Sequence, residues 1–348
     1  MMQTRLLPVS DESLALGGEL IRSGKLVAFP TETVYGLGAD ALDAEAVKAI
    51  FAAKGRPGDN PLIVHISAPA QLDALVTAPP TPDARKLMAA YWPGPMTLIF
   101  PKSDRVPDAV TAGLDTVAVR LPAHPGARGL IDAAGRPIAA PSANRSGRPS
   151  PTTARHVLED MAGRIDLVLD GGECRVGLES TVIDVTGGSP RILRPGGVTP
   201  GMIRAACGSV QVDEAVLRPL KAGEKPRSPG MKYRHYAPSG ALTIVQGPSG
   251  AVVRAICRLY DEALAAGKRP LILALSPHLS AYGARRVLSL GEGEEAMAHN
   301  MFARLRETDA LAADPLFSEA VPDEGLGLAV MNRLERAAGF NILTVRED

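Results

Sequence analysis

The stretch STVIDVTGGSPRILR, Ser180 to Arg194, decides the fold class. Two short runs rich in β-branched and aliphatic residues, STVIDV and RILR, are separated by a Gly-Gly-Ser-Pro turn, which leaves no room for a crossover helix. The two strands must therefore run antiparallel. Upstream, LVAF (Leu26–Phe29), LIVHI (Leu62–Ile66), MTLIF (Met96–Phe100), TVAVRL (Thr116–Leu121), PIAA (Pro137–Ala140) and DLVLD (Asp166–Asp170) read as further strands, with helical patterns between several of them. The expected fold is α/β, with a mixed sheet rather than a doubly wound parallel one.

Helix ends are marked by their chemistry. DAEAVKAIFAAKG has Asp43 as its cap and Gly55 beyond its end, while TPDARKLMAAYW and TPGMIRAACG each begin with a Thr cap followed by Pro. GLGADA (Gly36–Ala41) matches a loose dinucleotide fingerprint, but PTETVY separates it from the run ending at Phe29, so it reads as a turn.

A chain of 348 residues favours two domains. Residues 1–208 form the first, 209–240 a linker and 241–348 the second. Within the linker, PLKAGEKPRSPGMKYRHYAPSG (Pro219–Gly240) holds four prolines, three glycines and mostly cationic charge. Beyond it, ALTIVQ, PLILALS and RVLSL alternate with helices near residues 250–266 and 292–311, as βαβ units do in a smaller Rossmann-like α/β domain.

Thirty-eight basic and 38 acidic side chains balance, so the overall charge gives no reason to expect a dedicated nucleic-acid binder. Charge is nevertheless uneven, with four arginines and no acid between Ala133 and Leu158. Cys174, Cys207 and Cys257 are far apart and form no CxxC pair, which excludes a cysteine metal cluster and points to a reducing cytoplasm. The N-terminal MMQTRLLPVSDESLALGGEL has no apolar core of signal-peptide length, and no run is long enough to cross a bilayer. A soluble protein without membrane contact is expected. GxxxxGK[ST], HExxH and GxSxG are absent, so the common phosphate-loop, zinc-protease and serine-hydrolase solutions are not used.

Polar clusters remain. KGRPGDNPLIVHI (Lys54–Ile66) sets two cations in a Gly/Pro turn that can hold an anion; its bland reading is a solvated basic loop. APSANRSGRPSPTTARH offers Ser142, Asn144, Ser146 and Ser150 as donors, although Ser150 and Thr152 read nearly as well as caps of the helix starting near Thr152. Glu179, Ser180 and Thr181 precede one strand and Arg194 ends the next, where α/β sheets commonly place ligands. His65 and Arg120 lie in or at the end of apolar strands, and a satisfied core side chain is the first reading for His65.

PTETVYGLGADA, KGRPGDNPLIVHI, WPGPMTLIF, TVAVRLP, APSANRSG, DGGECRVGLESTVIDV and ILRPGG, in this order and spacing, resemble the YrdC-like domain of threonylcarbamoyl-AMP synthases from about Ser10 to Met202. SPGMKYRHYAP and the region after it resemble the long, two-domain form of that family. The resemblance implies a YrdC-like twisted mixed sheet with flanking helices. It also implies condensation of L-threonine, bicarbonate or CO2, and ATP to L-threonylcarbamoyladenylate and pyrophosphate, for tRNA modification.

Carried over residue by residue, the family's KxR and SxN pairs fall on Lys54, Arg56, Ser142 and Asn144 as catalytic residues. ATP contacts extend from Arg56 and Ser142 to Asn60, Thr116, Ser150 and Arg194. Threonine is expected on Thr33, His65, Arg120, the backbone at Ala140, and Ser180. Tyr233, His235 and Tyr236 of the linker are expected to close the cleft, and Mg²⁺ to accompany ATP. A monomer that passes its product to the downstream tRNA threonylcarbamoyl-transfer machinery, with at most weak tRNA contact, completes the expectation. The alternative is an RNA-binding module of the same pathway, motivated by the arginines from Arg136 to Arg155.

Overall fold

A computed structural model of the chain describes residues 3–216, 218 and 235–347. Two compact units are present, one formed by Met1–Ser146 and Ser150–Tyr233, the other by Gly147–Pro149 and Arg234–Asp348.

The first unit runs β1 (Arg5–Pro8), α1 (Asp11–Arg22), β2 (Val27–Phe29), β3 (Gly36–Asp40), α2 (Ala44–Lys54), β4 (Ile63–His65), α3 (Pro82–Tyr91), β5 (Met96–Pro101), α4 (Asp108–Thr111), β6 (Thr116–Arg120), α5 (Pro125–Ala134), β7 (Ile138–Ala140), α6 (Ala154–Met161), β8 (Leu167–Asp170), β9 (Thr181–Asp184), β10 (Arg191–Arg194), α7 (Pro200–Cys207) and β11 (Gln211–Val212). These strands form one eleven-stranded sheet in the order β1-β8-β2-β3-β7-β4-β6-β5-β9-β10-β11. It is mixed: β9 and β10 pair antiparallel across the GGSP turn, whereas β4–β6 and β5–β9 are parallel.

The reading of GLGADA as a turn is corrected. Gly36–Asp40 is strand β3, buried along its length and antiparallel to both β2 and β7. Its glycines are explained by what crosses them. A Cβ at Gly38 would lie 2.7 Å from Ile138 Cγ2 and 2.9 Å from the Phe29 ring, so only glycine lets those side chains pack flat on the strand. Strand β1 is short and mostly exposed, and no apolar alternation in the sequence marks it.

Helix ends follow the sequence closely. Asp43 accepts from the amides of Glu45 and Ala46, Gly55 ends α2 in the left-handed region at φ +61°, and Thr81 and Thr199 cap α3 and α7. The cap of α6 is Thr153, which leaves Ser150 and Thr152 without that role.

One face of the sheet buries its core under α2, α3, α6 and α7 through residues such as Ile50, Leu87, Val157 and Ile203. On the other face, α1 and α5 cover Val27, Phe29, Ile138, Ala140, Leu167 and Leu169, which belong to β2, β7 and β8. Further along that face, Ile63, Ala118, Ile99, Val182 and Leu193 form a cluster of strand residues alone.

The second unit contains β12 (Leu242–Gln246), α8 (Ser249–Ala265), β13 (Leu271–Leu275), β14 (Val287–Gly291), α9 (Gly293–Ala310), β15 (Leu316–Glu319), α10 (Gly327–Ala337) and β16 (Ile342–Thr344). Its five-stranded sheet, ordered β14-β13-β15-β12-β16, is parallel throughout. β15 and β16 lie beyond the strands that the sequence pattern marks. Among the described residues no helix is long and apolar enough to cross a membrane.

Gly38→Ala should lower stability by about 1 to 3 kcal/mol through overpacking, whereas Gly187→Ala, whose Cβ would meet nothing within 4 Å, should have little effect. Urea midpoints of the two variants check this.

Candidate active site

Strand register places the functional side chains. His65 of β4 lies beside Arg120 of β6, and Arg120 lies beside Thr97 of β5. Thr97 in turn neighbours Val182 of β9, which neighbours Arg194 of β10. Lateral neighbours in a sheet project to one face, as do residues two apart on a strand, so Ser180 joins this row. Two residues before His65 and Arg120, and two after Thr97 on the antiparallel β5, lie Ile63, Ala118 and Ile99, an apolar floor beside a polar row. The face left uncovered by α1 and α5 thus carries both.

At the polar end, Arg120 is 4 % exposed and tightly held. Its Nη2 donates to Glu32 Oε1 at 2.7 Å, its Nη1 to Thr33 Oγ1 at 2.9 Å and its Nε to the Gly94 carbonyl at 3.3 Å. A guanidinium has five N–H donors, so one on each terminal nitrogen has no partner among the described residues. That fork suits a carboxylate. Burial alone would push the Glu32 carboxyl up, but the adjacent Arg120 guanidinium holds it below the usual glutamate range.

His65 is buried edge-on to the Phe29 ring, with centroids 5.9 Å apart, and its Nδ1 has no hydrogen-bond partner among the described residues. Burial, reinforced by the Arg120 charge, pushes its imidazole down to about 3, so the ring is neutral at physiological pH. Ser180 Oγ lies 2.8 Å from Thr97 Oγ1 and accepts from Arg194 Nη2 at 3.2 Å, and Arg194 also grips the Ser180 carbonyl. Ser150 donates to the buried Glu179 carboxylate, the residue before Ser180.

A second set gathers at the other end of the same strands. Asn60 precedes β4 and Thr116 begins β6, four residues or ~13 Å from Arg120 at strand rise. Asn60 is fully buried, yet neither polar atom of its amide has a partner among the described residues. The antiparallel β7 brings Ala140 beside Ile63 and then delivers the Ser142 loop to this end. That loop continues the pairing with β3 through the Gly36–Ser142 bridge and the Leu37–Pro141 and Ala143–Tyr35 hydrogen bonds.

Lys54, the last residue of α2 and 4 % exposed, turns inward and donates from Nζ to the carbonyls of Ser142 and Asn144. Ser142 Oγ donates to Asn144 Oδ1. Arg56 lies outside the helix, donates to the Asn60 carbonyl at 3.1 Å and stacks 5.7 Å from the Phe51 ring. Lys54 fixes the loop, and Arg56 flanks Asn60.

The family model described as "Telomere recombination" matches residues 19–196, and that described as "Threonylcarbamoyl-AMP synthase, C-terminal domain" matches residues 198–339. The threonylcarbamoyl-AMP synthase of Pyrococcus abyssi is 49 % identical over 97 % of both chains, and that of Bacillus subtilis is 46 % identical over 97 % of this chain and 96 % of the relative. The chain belongs to the threonylcarbamoyl-AMP synthase family. The crystal structure of P. abyssi Sua5 complexed with L-threonine is likewise similar, with a TM-score of 0.92, 48 % identity and 99 % of each chain covered.

In this threonylcarbamoyl-AMP synthase family member, the residues expected at threonine (Thr33, His65, Arg120, Ser180) meet at the polar end, with Ala140 in the middle. Lys54, Arg56, Asn60, Thr116, Ser142 and Asn144 gather at the far end, whereas Ser150 and Arg194 are tied to Glu179 and Ser180. Tyr233 lies outside the described residues. His235 and Tyr236 belong to the second unit, where the Tyr236 ring packs 5.1 Å from Phe302. Sequence reasoning missed Glu32 and Thr97 as members of the site. Their signal was an acid set between threonines in PTETVYG and a lone hydroxyl in the apolar MTLIF.

His65 ring resonances should stay fixed between pH 8 and pH 5. Because the folded value lies below the ordinary 6.5, the ring contributes stability in full above 6.5 and loses it as pH falls towards 3. The loss is on the order of 2 kcal/mol at pH 5, so His65→Gln should lose less stability on acidification, as read by urea midpoints at pH 7 and pH 5.

Proposed function

We propose that the chain condenses L-threonine, bicarbonate or CO2, and ATP to L-threonylcarbamoyladenylate, releasing pyrophosphate, and that the product supplies N6-threonylcarbamoyl modification of tRNA reading codons that begin with A. The supporting observation is the separation, on one sheet face, of the buried Arg120 fork from the cluster of Lys54, Arg56, Asn60 and the Ser142–Asn144 loop, with the apolar floor Ile63, Ala118 and Ile99 between.

In this reading the threonine carboxylate takes the two remaining N–H donors of Arg120, and Ser180 and neutral His65 complete the amino-acid end. The threonine amine then lies over the floor, where its nitrogen adds to the carbon of bicarbonate with loss of water, or to CO2 with loss of a proton, to form a carbamate. A carbamate oxygen attacks the α-phosphorus of ATP, the bond to the β-phosphate bridging oxygen breaks, and pyrophosphate leaves. Lys54, Arg56, Asn60 and the Ser142–Asn144 loop hold the nucleotide so that this attack is in line. The negative charge of the leaving pyrophosphate would be offset by Mg²⁺ if the ion accompanies ATP. Among the described residues no group of three His, Cys, Asp or Glu could hold a metal.

Several further readings belong to the same proposal: retention of the adenylate by the linker rings Tyr233, His235 and Tyr236, additional ATP contacts from Thr116, Ser150 and Arg194, a cytoplasmic monomer, and hand-over to the tRNA-modifying machinery. The RNA-binding alternative is not favoured, because the similar full-length relatives are named as synthases.

Pyrophosphate release from ATP should require both threonine and bicarbonate, and omission of either should abolish it. Lys54→Ala and Arg56→Ala should each lower turnover by about 10²-fold or more, as expected when a charge-stabilising donor is lost, with the fold intact by circular dichroism. Release that is independent of threonine would contradict the proposal.

A further inference from the structure

We infer that Glu32 is a positioning residue that makes Arg120 selective for the carboxylate of the amino-acid substrate; this rests on the proposed function. Glu32 is 5 % exposed and bridges two partners with separate oxygens. Oε1 receives Arg120 Nη2 at 2.7 Å, and Oε2 receives the backbone amide of Ala123, just beyond β6, at 3.1 Å. Its own carbonyl accepts from the Val176 amide at 2.7 Å, so the residue is fixed at both ends.

The consequence is directional. A buried guanidinium can rotate about its long side chain unless its donors are committed. Glu32 holds Nη2, Thr33 holds Nη1 and Gly94 holds Nε, so the plane of the fork is set and one N–H on each terminal nitrogen is left to face a ligand. Thr33 is itself anchored, its Oγ1 lying 2.8 Å from Thr31 Oγ1. The Glu32 carboxylate also offsets the buried cation when no substrate is bound, which a neutral side chain could not do.

Glutamine cannot replace it. An amide in the same place has one oxygen and one NH2 group, so it faces either the Ala123 N–H or the Arg120 Nη2 with a donor. One of the two bonds is lost whichever way it turns. Aspartate keeps the charge but is one methylene shorter, and so cannot span both partners.

The test is calorimetric binding of L-threonine and of L-threoninol, which lacks the carboxylate, to the full chain and to Glu32→Gln and Glu32→Asp. The wild-type protein should prefer threonine clearly. Glu32→Gln should weaken threonine at least about tenfold, as for loss of a charge-assisted bond, while leaving threoninol and ATP within about twofold. Glu32→Asp should lie between. Equal weakening of both ligands in a folded variant would show a merely structural role and overturn the inference. So would an unchanged preference for threonine in Glu32→Gln, or in Glu32→Asp should the glutamine variant fail to fold. If the wild-type protein binds no threonine, the proposed function fails, and this inference with it.

Discussion

One cross-sheet register, His65 beside Arg120 beside Thr97, is the constraint on which the site depends. It aligns a parallel pair with an antiparallel one, so the C-terminal ends of β4 and β6 meet the N-terminal end of β5. A slip of one residue in any of these strands would turn its polar side chain to the opposite face and bring an aliphatic one into the site. The aliphatic residues of that opposite face, Val64, Val119 and Leu98, are buried in the main core, and their burial therefore holds His65, Arg120 and Thr97 where they are. Core packing and site geometry are two faces of the same strands.

Buried charge is the second organising feature. An ammonium or guanidinium taken from water is costly unless paired and hydrogen-bonded, and this site holds Lys54, Arg120 and Arg194 at 7 % exposure or less. Each is committed to a neighbouring segment: Lys54 to the 142–144 loop, Arg120 to the PTETVY loop, and Arg194 to Ser180. The cations thus position loops as well as offering charge.

Much of this was legible in the sequence, and the gaps have physical causes. The mixed sheet followed from a turn too short for a crossover, and caps such as Asp43 and Thr81 marked helix starts because their side chains satisfy amides that water would otherwise take. Strand β3 was not legible because glycine is chosen there for the ring that crosses it, and that contact is invisible to a one-dimensional pattern. Motif resemblance brought out His65, Arg120 and Ser180, although only register shows that they share a face. Glu32 was hidden for the opposite reason: it touches Arg120, 88 positions away, and no local periodicity reports such a partner.

The central claim, that amino acid and nucleotide bind at opposite ends of one apolar floor, is tested most directly by a crystal structure with L-threonine and α,β-methylene-ATP. The account predicts the threonine carboxylate on the terminal nitrogens of Arg120, the phosphates beside Lys54, Arg56, Ser142 and Asn144, and the threonine amine facing the α-phosphorus across Ile63 and Ala118. Phosphates seated on Arg120, or threonine bound away from the His65–Arg120–Ser180 row, would contradict it.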